Sequence, residues 1–278
     1  MKSARNQARP DLATVAGLLV AGCGLFGGFC WEGGNPHAIL GESAALIVFG
    51  GCLGATLVAH PWREVRSAFK ALRWIFDEPS LHCDWLIEEL LALSRQARRT
   101  GLVKLEPDLA AISHPFLRKG ITLAVDGVDP EKIHSIMEVE IEVTHRRAER
   151  DAQVFESAGG FAPTIGIVGA VLGLIITMGR IDDTKMVGRG IAAAFVATIY
   201  GVGGANLLLL PAAAKLRSRA AAVREQMELI LLGCLSIAEG LNPKLLREKI
   251  ECYAADADLP PAPSRRAPLL APSSEPAP

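Results

Sequence analysis

The sequence has 278 residues, 50% of them hydrophobic but only 5% aromatic, and a formal net charge of −1. Apolar content of this kind, carried by Ala, Leu, Ile, Val and Gly in long runs, is typical of a membrane protein with several spans. The balanced charge, without a basic patch that has interleaved aromatic residues, argues against nucleic acid as a partner. The six cysteines show neither CxxC spacing nor the paired Cys and His spacing of a metal site, which predicts free thiols and no metal site.

Residues 1–60 contain a short basic arm and two predicted transmembrane helices. The helices are Leu12 to Trp31 and Ala38 to Ala59, and each is close to the ~20 residues that cross a bilayer. The first apolar run is longer than the apolar core of a typical signal peptide, so we expect it to remain as a span.

Residues 61–154 form a charged insert that we expect to fold as helices outside the membrane. The apolar positions of its first helix fall on one predicted face, namely Val65, Phe69, Leu72 and Phe76. A second helix is predicted around Leu81 to Arg99. Gly101 and Pro107 then predict a helix break and a short connection. The helical pattern resumes near Pro130 and continues into the third span.

Residues 155–211 hold the third and fourth predicted spans, Phe161 to Met178 and Gly190 to Pro211. Small residues recur in them at helical spacing: Ala162, Gly166 and Ala170 in the third, and Ala193, Ala197, Gly201 and Ala205 in the fourth. Such stripes allow helix backbones to approach closely inside a membrane. The sequence therefore predicts that these two spans pack against other helices.

Residues 212–258 read as cytoplasmic helices. The apolar face of the long helix consists of Leu216, Val223, Met227, Ile230, Cys234 and Ile237. Gly240 and Pro243 are predicted stop signals, followed by a short amphipathic helix. The tail, 259–278, is rich in Pro, Ala and Ser and is predicted to be disordered.

The distribution of basic residues predicts the orientation. Of the 29 Lys and Arg residues, 14 lie in the insert, whereas the link between the first two spans has none. Basic residues accumulate on the cytoplasmic side of a membrane. We therefore expect a multi-pass protein with the insert and both termini in the cytoplasm.

The third and fourth spans contain no carboxylate. Their polar groups are Thr164, Thr177, Thr198, Tyr200 and Asn206, and Glu42 lies near the outer end of the second span. An ion path across lipid needs an ionisable carrier, so either there is no path or a partner supplies the acid. Nucleophile-elbow, phosphate-loop and metal-ligand motifs are also missing, which argues against an enzyme.

Six segments, in this order and spacing, resemble the MotA family of flagellar stator A subunits, part of the MotA/TolQ/ExbB proton channel superfamily. They are DLATVAGLL, IVFGGCLGA, RRTGLVKLE, GGFAPTIGIVGAVLGL, AAAFVATIYGVGGANLLLLPAAAKL and SIAEGLNP. The resemblance extends to about Tyr253. It implies an all-α protein with four transmembrane helices in the bacterial inner membrane. With a B subunit, such a protein forms an ion channel and converts ion-motive force into torque for motility and chemotaxis.

The resemblance also assigns roles to residues of the spans. Pro163 and Pro211 match the two prolines whose bends couple ion passage to movement, and Thr198 matches a pore-facing threonine. Members resembling the sodium-driven type have a threonine where this chain has Ala170. The methyl group offers sodium no oxygen ligand, so we expect the translocated ion to be a proton, with no bound cofactor or metal.

The resemblance implies partners as well. Arg98 and Glu106 match the charged pair presented to the rotor, a switch-complex protein of the FliG type, and Arg99 and Lys104 are close enough to share this role. The B subunit, of the MotB type, has one span with the essential Asp and a peptidoglycan-binding domain. Five A subunits would surround two B subunits.

Two alternatives remain open on the sequence. A TolQ/ExbB-like proton-channel subunit that energises the outer membrane would share the last two spans. Such proteins typically have three spans, which argues against them because residues 12–59 contain a pair. A conventional channel or transporter would need intramembrane charges of its own, and the only acid in the predicted spans is Glu42, near the outer end of the second.

Overall fold

The structure is a computed structural model of the chain, and it describes residues 9–78, 83–179 and 182–256. These residues are almost entirely helical, which confirms the predicted all-α class. In the described ranges, four helices are long and apolar enough to cross a membrane. The helices divide between two compact units, residues 1–80 with 143–222 and residues 81–142 with 223–278.

The first unit begins with a short strand, β1 (Arg9–Pro10), and the helix α1 (Leu12–Trp31). Asp11 caps α1, since its side chain accepts the backbone N–H of Thr14 at 3.1 Å. The helix ends where the sequence predicted. None of its side chains is buried in the chain.

The second span, α2 (Glu42–Ala59), begins four residues later than predicted. The preceding residues instead form a 3₁₀ turn, Pro36–Ile39, because Asn35 caps that turn through the N–H of His37. Beyond α2 the chain folds into α3 (Trp62–Ala71), α4 (Arg73–Phe76) and β2 (Asp77–Glu78).

The buried face of α3 differs from the predicted one. Val65 is buried as expected, but Phe69 is 57% exposed, and Ala68 is fully buried in its place. Phe69 still contacts the edge of the Phe155 ring, with centroids 6.2 Å apart. Leu72 is half-buried. The side chain of Phe76, the fourth predicted position, is not among those that the structure describes.

Two long helices carry the remaining spans. The helix α7 (Pro130–Met178) begins at the predicted proline and includes the third span, which ends at the predicted residue. The fourth span is α8 (Thr184–Gly204), which starts earlier than predicted because Asp183 caps it through the N–H groups of Lys185 and Met186. A π-helical turn, Ala205–Leu209, joins α8 to α9 (Leu210–Ala238) without a break.

The second unit contains α5 (Cys83–Thr100), a 3₁₀ helix (Leu102–Ala111), α6 (Pro115–Val125), α10 (Pro243–Asp256) and parts of α7 and α9. The helix α6 was not predicted, although Pro115 at its start and its apolar face are signals for it. The predicted short connection after Gly101 is a 3₁₀ helix of 10 residues. Gly101 leaves α5 with a φ of 88°, which favours glycine.

One continuous core fills the second unit. Its largest fully buried side chains are Leu86, Ile87, Leu90, Leu91, Leu105, Leu117, Ile121, Ile133, Met137, Leu229, Ile230 and Leu246. The predicted face of α9 is confirmed there, since Met227, Cys234 and Ile237 are buried. The predicted stop is confirmed too, because α9 ends at Ala238 and Gly240 has a φ of 70°. The tail predicted to be disordered lies outside the described residues.

Candidate functional site

The third and fourth spans touch through their backbones. A Cβ added at Gly201 would lie 2.5 Å from the carbonyl oxygen of Ala162, and one at Gly166 would lie 3.0 Å from that of Ala197. The predicted contact of small residues is therefore confirmed at Ala162, Gly166, Ala197 and Gly201, where α7 meets α8. Such close approach favours dispersion and weak Cα–H···O contacts.

The second span is fastened to the same helix pair. The Tyr200 hydroxyl donates to the carbonyl of Ile39 at 2.7 Å and accepts the N–H of Gly41 at 3.2 Å. On α7, the carbonyl of Ala158 accepts the Cys52 thiol at 3.2 Å. The spans α2, α7 and α8 thus form one packed set.

Ala170 and Thr198, two predicted path residues, lie at the same level of this helix pair. Their neighbours Gly169 and Ala197 meet, since a Cβ on Gly169 would lie 3.2 Å from that of Ala197. Both Ala170 and Thr198 are half-buried.

Three threonine hydroxyl groups of the third and fourth spans donate to their own helices. Thr198 Oγ1 donates to the carbonyl of Ala194 at 3.3 Å, and Thr164 and Thr177 bond back to Phe161 and Gly173. Their protons are engaged, while their oxygen lone pairs can still accept. Thr198 can therefore accept a hydrogen bond from water or from a protonated partner group without leaving its rotamer.

The predicted coupling prolines lie near each other. Pro163 is half-buried inside α7, and one turn earlier a Cβ on Gly159 would lie 2.6 Å from Leu210, the residue before Pro211. The helix of the fourth span continues through Pro211, the residue at which the span is predicted to end. Proline lacks an N–H and its ring clashes with the carbonyl four residues earlier. The π turn widens the helix there, with the N–H of Leu210 bonded to the carbonyl of Ala205.

A group of polar side chains lies on the insert side of the spans, where α2 ends and α7 approaches the third span. The His60 ring lies 2.9 Å from the Ser157 hydroxyl and 3.6 Å from the Glu64 carboxylate. Nearby, the Ser67 hydroxyl donates to Asp151 at 3.1 Å, and burial raises the pKa of Asp151 despite this bond.

A second polar cluster lies where α1 begins. Asp11 is 8% exposed and contacts the ammonium group of Lys215 and, at 3.2 Å, the guanidinium of Arg219. The Lys215 bond holds the pKa of Asp11 at about 2, even though burial opposes this shift. Sequence analysis missed this cluster. An acidic cap before a span and two basic residues one turn apart after Pro211 were the only signals.

The predicted rotor-facing residues belong to the second unit. Arg98 and Arg99 lie in the last turn of α5, and Lys104 and Glu106 lie on the 3₁₀ helix that packs on α5. All four are exposed. In the described part of the chain they form no ion pair with one another, so their charges are available to a partner.

Metal chemistry has no support in the geometry. In the described ranges, no three His, Cys, Asp or Glu side chains come together in a way that could hold a metal ion. The cysteines described with their side chains, at positions 23, 30, 52, 234 and 252, are all free, as predicted.

Family models and known proteins match nearly the whole chain. Residues 15–101 match the family model described as Motility protein A N-terminal, and residues 108–229 match that of the MotA/TolQ/ExbB proton channel family. Motility protein A of Bacillus subtilis (strain 168) is 33% identical over 252 residues, which cover 89% of this chain and 92% of that protein.

Two solved structures are also similar. A chain of C. jejuni MotAB aligns with a TM-score of 0.83 and 31% identity, over 87% of this chain and 95% of that one. A chain of the flagellar MotAB stator complex from Bacillus subtilis aligns with a TM-score of 0.81 and 33% identity, with the same coverage. The similarity therefore includes all four spans and the insert.

Proposed function

The chain belongs to the MotA/TolQ/ExbB proton channel family, as a motility protein A, and from this membership we propose that it is the A subunit of a flagellar motor stator. With a B subunit it forms an ion channel and converts ion-motive force into torque on the rotor. The observation that carries the proposal is the match to MotAB stator chains over 87% of the sequence. The match of residues 15–101 to the Motility protein A N-terminal model favours a stator over a TolQ- or ExbB-like subunit.

The proposed division of labour follows from what the spans contain. The third and fourth spans have no Asp or Glu, and a charge at the membrane centre needs an ionisable carrier or water. The B subunit of the MotB type supplies the Asp, and this chain supplies the wall of α7 and α8. Moving one charge through 100 mV releases about 2.3 kcal/mol, which is the energy available for each step.

Coupling is proposed to depend on the two prolines. Protonation of the B-subunit Asp weakens its hold on the A subunits, and the helices bend at Pro163 and Pro211. The π turn next to Pro211 supports this role, because such turns interrupt the regular helix hydrogen bonds and are frequent at functional sites. Thr198, with free lone pairs, accepts from water or from the protonated acid.

The proposed ion is the proton. Sodium needs several oxygen ligands, whereas the methyl group of Ala170 offers none to an ion at this level of the spans. No cofactor is required. Motor speed is expected to follow the proton-motive force and to ignore external sodium, and the opposite dependence would overturn this part of the proposal.

The remaining partners are proposed from the family. The exposed charges around Arg98 and Glu106 engage a FliG-type rotor protein, since opposite charges suit fast, reversible contacts. Five copies of the chain surround two B subunits in the bacterial inner membrane. The charged insert, with 14 of the 29 Lys and Arg residues, lies in the cytoplasm together with both termini.

Swimming in a strain that lacks the gene tests the function. We expect flagellated but paralysed cells, which the wild-type gene rescues and a Pro163→Leu variant does not. A tagged chain should also co-purify with a single-span B subunit. Normal swimming combined with sensitivity to detergent would instead favour the TolQ-like alternative.

A further inference from the structure

Three segments far apart in the sequence meet at the insert side of the first span. They are the N-terminus of α1, the end of α4 and the part of α9 just after Pro211. We call their polar contacts the inner clamp, which consists of Asp11, Thr14, Lys215, Arg219 and the carbonyl group of Ile75.

Asp11 is the centre of the inner clamp. One carboxylate oxygen caps α1 by accepting the N–H of Thr14 at 3.1 Å. The other receives the Arg219 guanidinium at 3.2 Å and the Lys215 ammonium group. Lys215 also donates to the Thr14 hydroxyl at 2.6 Å, so α9 is bonded to the first turn of α1 at two points.

The end of α4 completes the clamp. The same Arg219 nitrogen donates to the Ile75 carbonyl at 3.0 Å. Directly beside it, β1 and β2 pair antiparallel, with Arg9 opposite Glu78 and Pro10 opposite Asp77. The segment before α1 and the segment after α4 are thereby joined, and Arg219 links both to α9.

Stability alone does not account for this cluster. Arg219 is 9% exposed, and its Nη1 is buried without a hydrogen-bond partner in the described part of the chain. Buried ion pairs are often no more stabilising than apolar side chains of similar volume, and an unpaired buried N–H is unfavourable. What such a cluster does provide is one defined register between the segments that it joins.

The clamp lies close to Pro211, so the register that it sets between α1, α4 and α9 affects the helix at the proposed bend. Lys215 follows Pro211 by four residues, so the two lie on the same face of α9, one turn apart. None of the side chains of α1 is buried in the chain, so α1 depends strongly on this junction for its attachment.

We propose that the inner clamp positions α9 during torque generation, by fixing the helix after Pro211 to α1 and α4. This inference rests on the proposed stator function. With the clamp closed, a bend at Pro211 moves α9 relative to its fixed attachment at α1 and α4. With the clamp open, α9 shifts along α1 and part of that bend is lost. Asp11, Lys215 and Arg219 act through Pro211 and do not touch the ion.

Three variants separate charge, capping and packing. Asp11→Asn keeps a good N-cap and removes only the charge, since Asn and Asp cap equally well. Arg219→Met and Lys215→Met keep most of the apolar stem. Arg217→Met is the matched control, because Arg217 lies between the clamp residues on α9 but pairs with Glu156 on α7, where both side chains are 46% exposed.

Torque and speed of single motors, measured with beads of different size, test the proposal in cells with the complete stator. We expect the clamp variants to lower the torque per stator unit at high load to less than about half, while the speed at low load stays near that of the wild type. The control should match the wild type at both loads.

Several results would overturn the proposal. Wild-type torque in all clamp variants would do so, as would a loss explained entirely by fewer bound units or by failure to assemble with the B subunit. An equal loss of low-load speed would place these residues in ion passage instead. If the deletion strain is paralysed while the clamp variants have full torque, only this inference fails and the stator function stands.

Discussion

Gly201 lies where the backbones of α7 and α8 touch, so its missing side chain has a direct physical role. We predict that Gly201→Ala destabilises the chain by about 1–3 kcal/mol, because the new methyl group meets a backbone oxygen that cannot rotate away. A Cβ there would lie 2.5 Å from the carbonyl oxygen of Ala162. Thermal unfolding in detergent measures the effect.

The matched control is Gly188→Ala on the same helix. A Cβ at Gly188 meets nothing within 4 Å, so this change should be neutral or slightly stabilising through helix propensity. Equal loss in both variants would show that the helices respond to any added methyl group rather than to this contact.

Asp11 is predicted to stay ionised throughout the physiological pH range. Its pKa is lowered to about 2 by the Lys215 bond, from an ordinary value of 3.8. Its contribution to stability is therefore fully present above about pH 4 and is lost as the pH falls toward 2. The unfolding temperatures of the wild type and of Asp11→Asn should differ by a constant amount between pH 5 and 8. At pH 5, which is about one unit above the ordinary pKa of an Asp, Asp11 is already ionised in both the folded and the unfolded state. A difference that varies across this range would contradict the assignment.

Sequence reasoning succeeded at the residue scale where the signal is local. Ala162, Gly166 and Gly201 were predicted as a packing stripe because helical spacing alone places them on one face. The pairing of Asp11 with Arg219 was not predicted, since the two are 208 residues apart. Their contact depends on how helices pack, and periodicity does not contain that information.

The π turn before Pro211 is the element that joins the fourth span to the helix after it. We predict that Pro211→Ala removes the reason for this turn, because alanine restores an N–H and relieves the clash with the preceding turn. The helix then becomes regular, and motility falls strongly while the amount of protein in the membrane and its assembly with the B subunit remain. Swimming speed and co-purification measure both effects.

A second substitution tests whether the π turn itself matters. Asn206 lies in it and donates its side-chain amide to the carbonyl of Val202 at 2.9 Å. Asn206→Leu removes this bond but leaves the proline, so it should impair motility less than Pro211→Ala does. Full motility of Pro211→Ala would mean that neither the proline nor its π turn is needed for coupling.

Element boundaries were predictable where caps and punctuation determine them. The ends of α1, α7 and α9 agree with the sequence, as does the start of α7 at Pro130. The π turn before Pro211 was not predicted, because the sequence has no signature for such a turn. Phe69 was assigned to the buried face, whereas α3 buries the small side chain of Ala68 instead.

At the scale of the whole molecule, the insert is expected to act through charges on the second unit. We predict that Arg98→Glu or Glu106→Lys lowers torque several-fold but leaves membrane insertion and assembly intact, since both side chains are exposed and the core lies elsewhere. Torque of single motors and co-purification with the B subunit measure the two quantities.

Controls for this prediction come from the same unit. Lys119 and Glu140 form an exposed ion pair there, and Lys119→Glu should have little effect on torque because surface pairs contribute roughly 0–1 kcal/mol. A loss of membrane insertion in the Arg98 or Glu106 variants would contradict the rotor-contact role. Partial rescue by charge reversal in the rotor protein would support it.

The architecture was largely predictable at this scale. Four long apolar segments, a charged insert and a helical C-terminal part follow from hydropathy and composition, and the six family-like segments follow from their order. Division into two units was not foreseen, because both α7 and α9 contribute residues to each unit. A helix that belongs to two units has no composition shift at the point where one unit ends.

The long sequence separation within the inner clamp also has a consequence for biosynthesis. Asp11 emerges from the ribosome 208 residues before Arg219, which at 5–20 residues per second is a delay of about 10–40 s. Throughout that time α1 has to remain in the bilayer without its later partners, as an independently stable span. Closure of the clamp therefore reports that translation has passed the fourth span, and a chain truncated before Lys215 would lack the bonds that join α9 to α1.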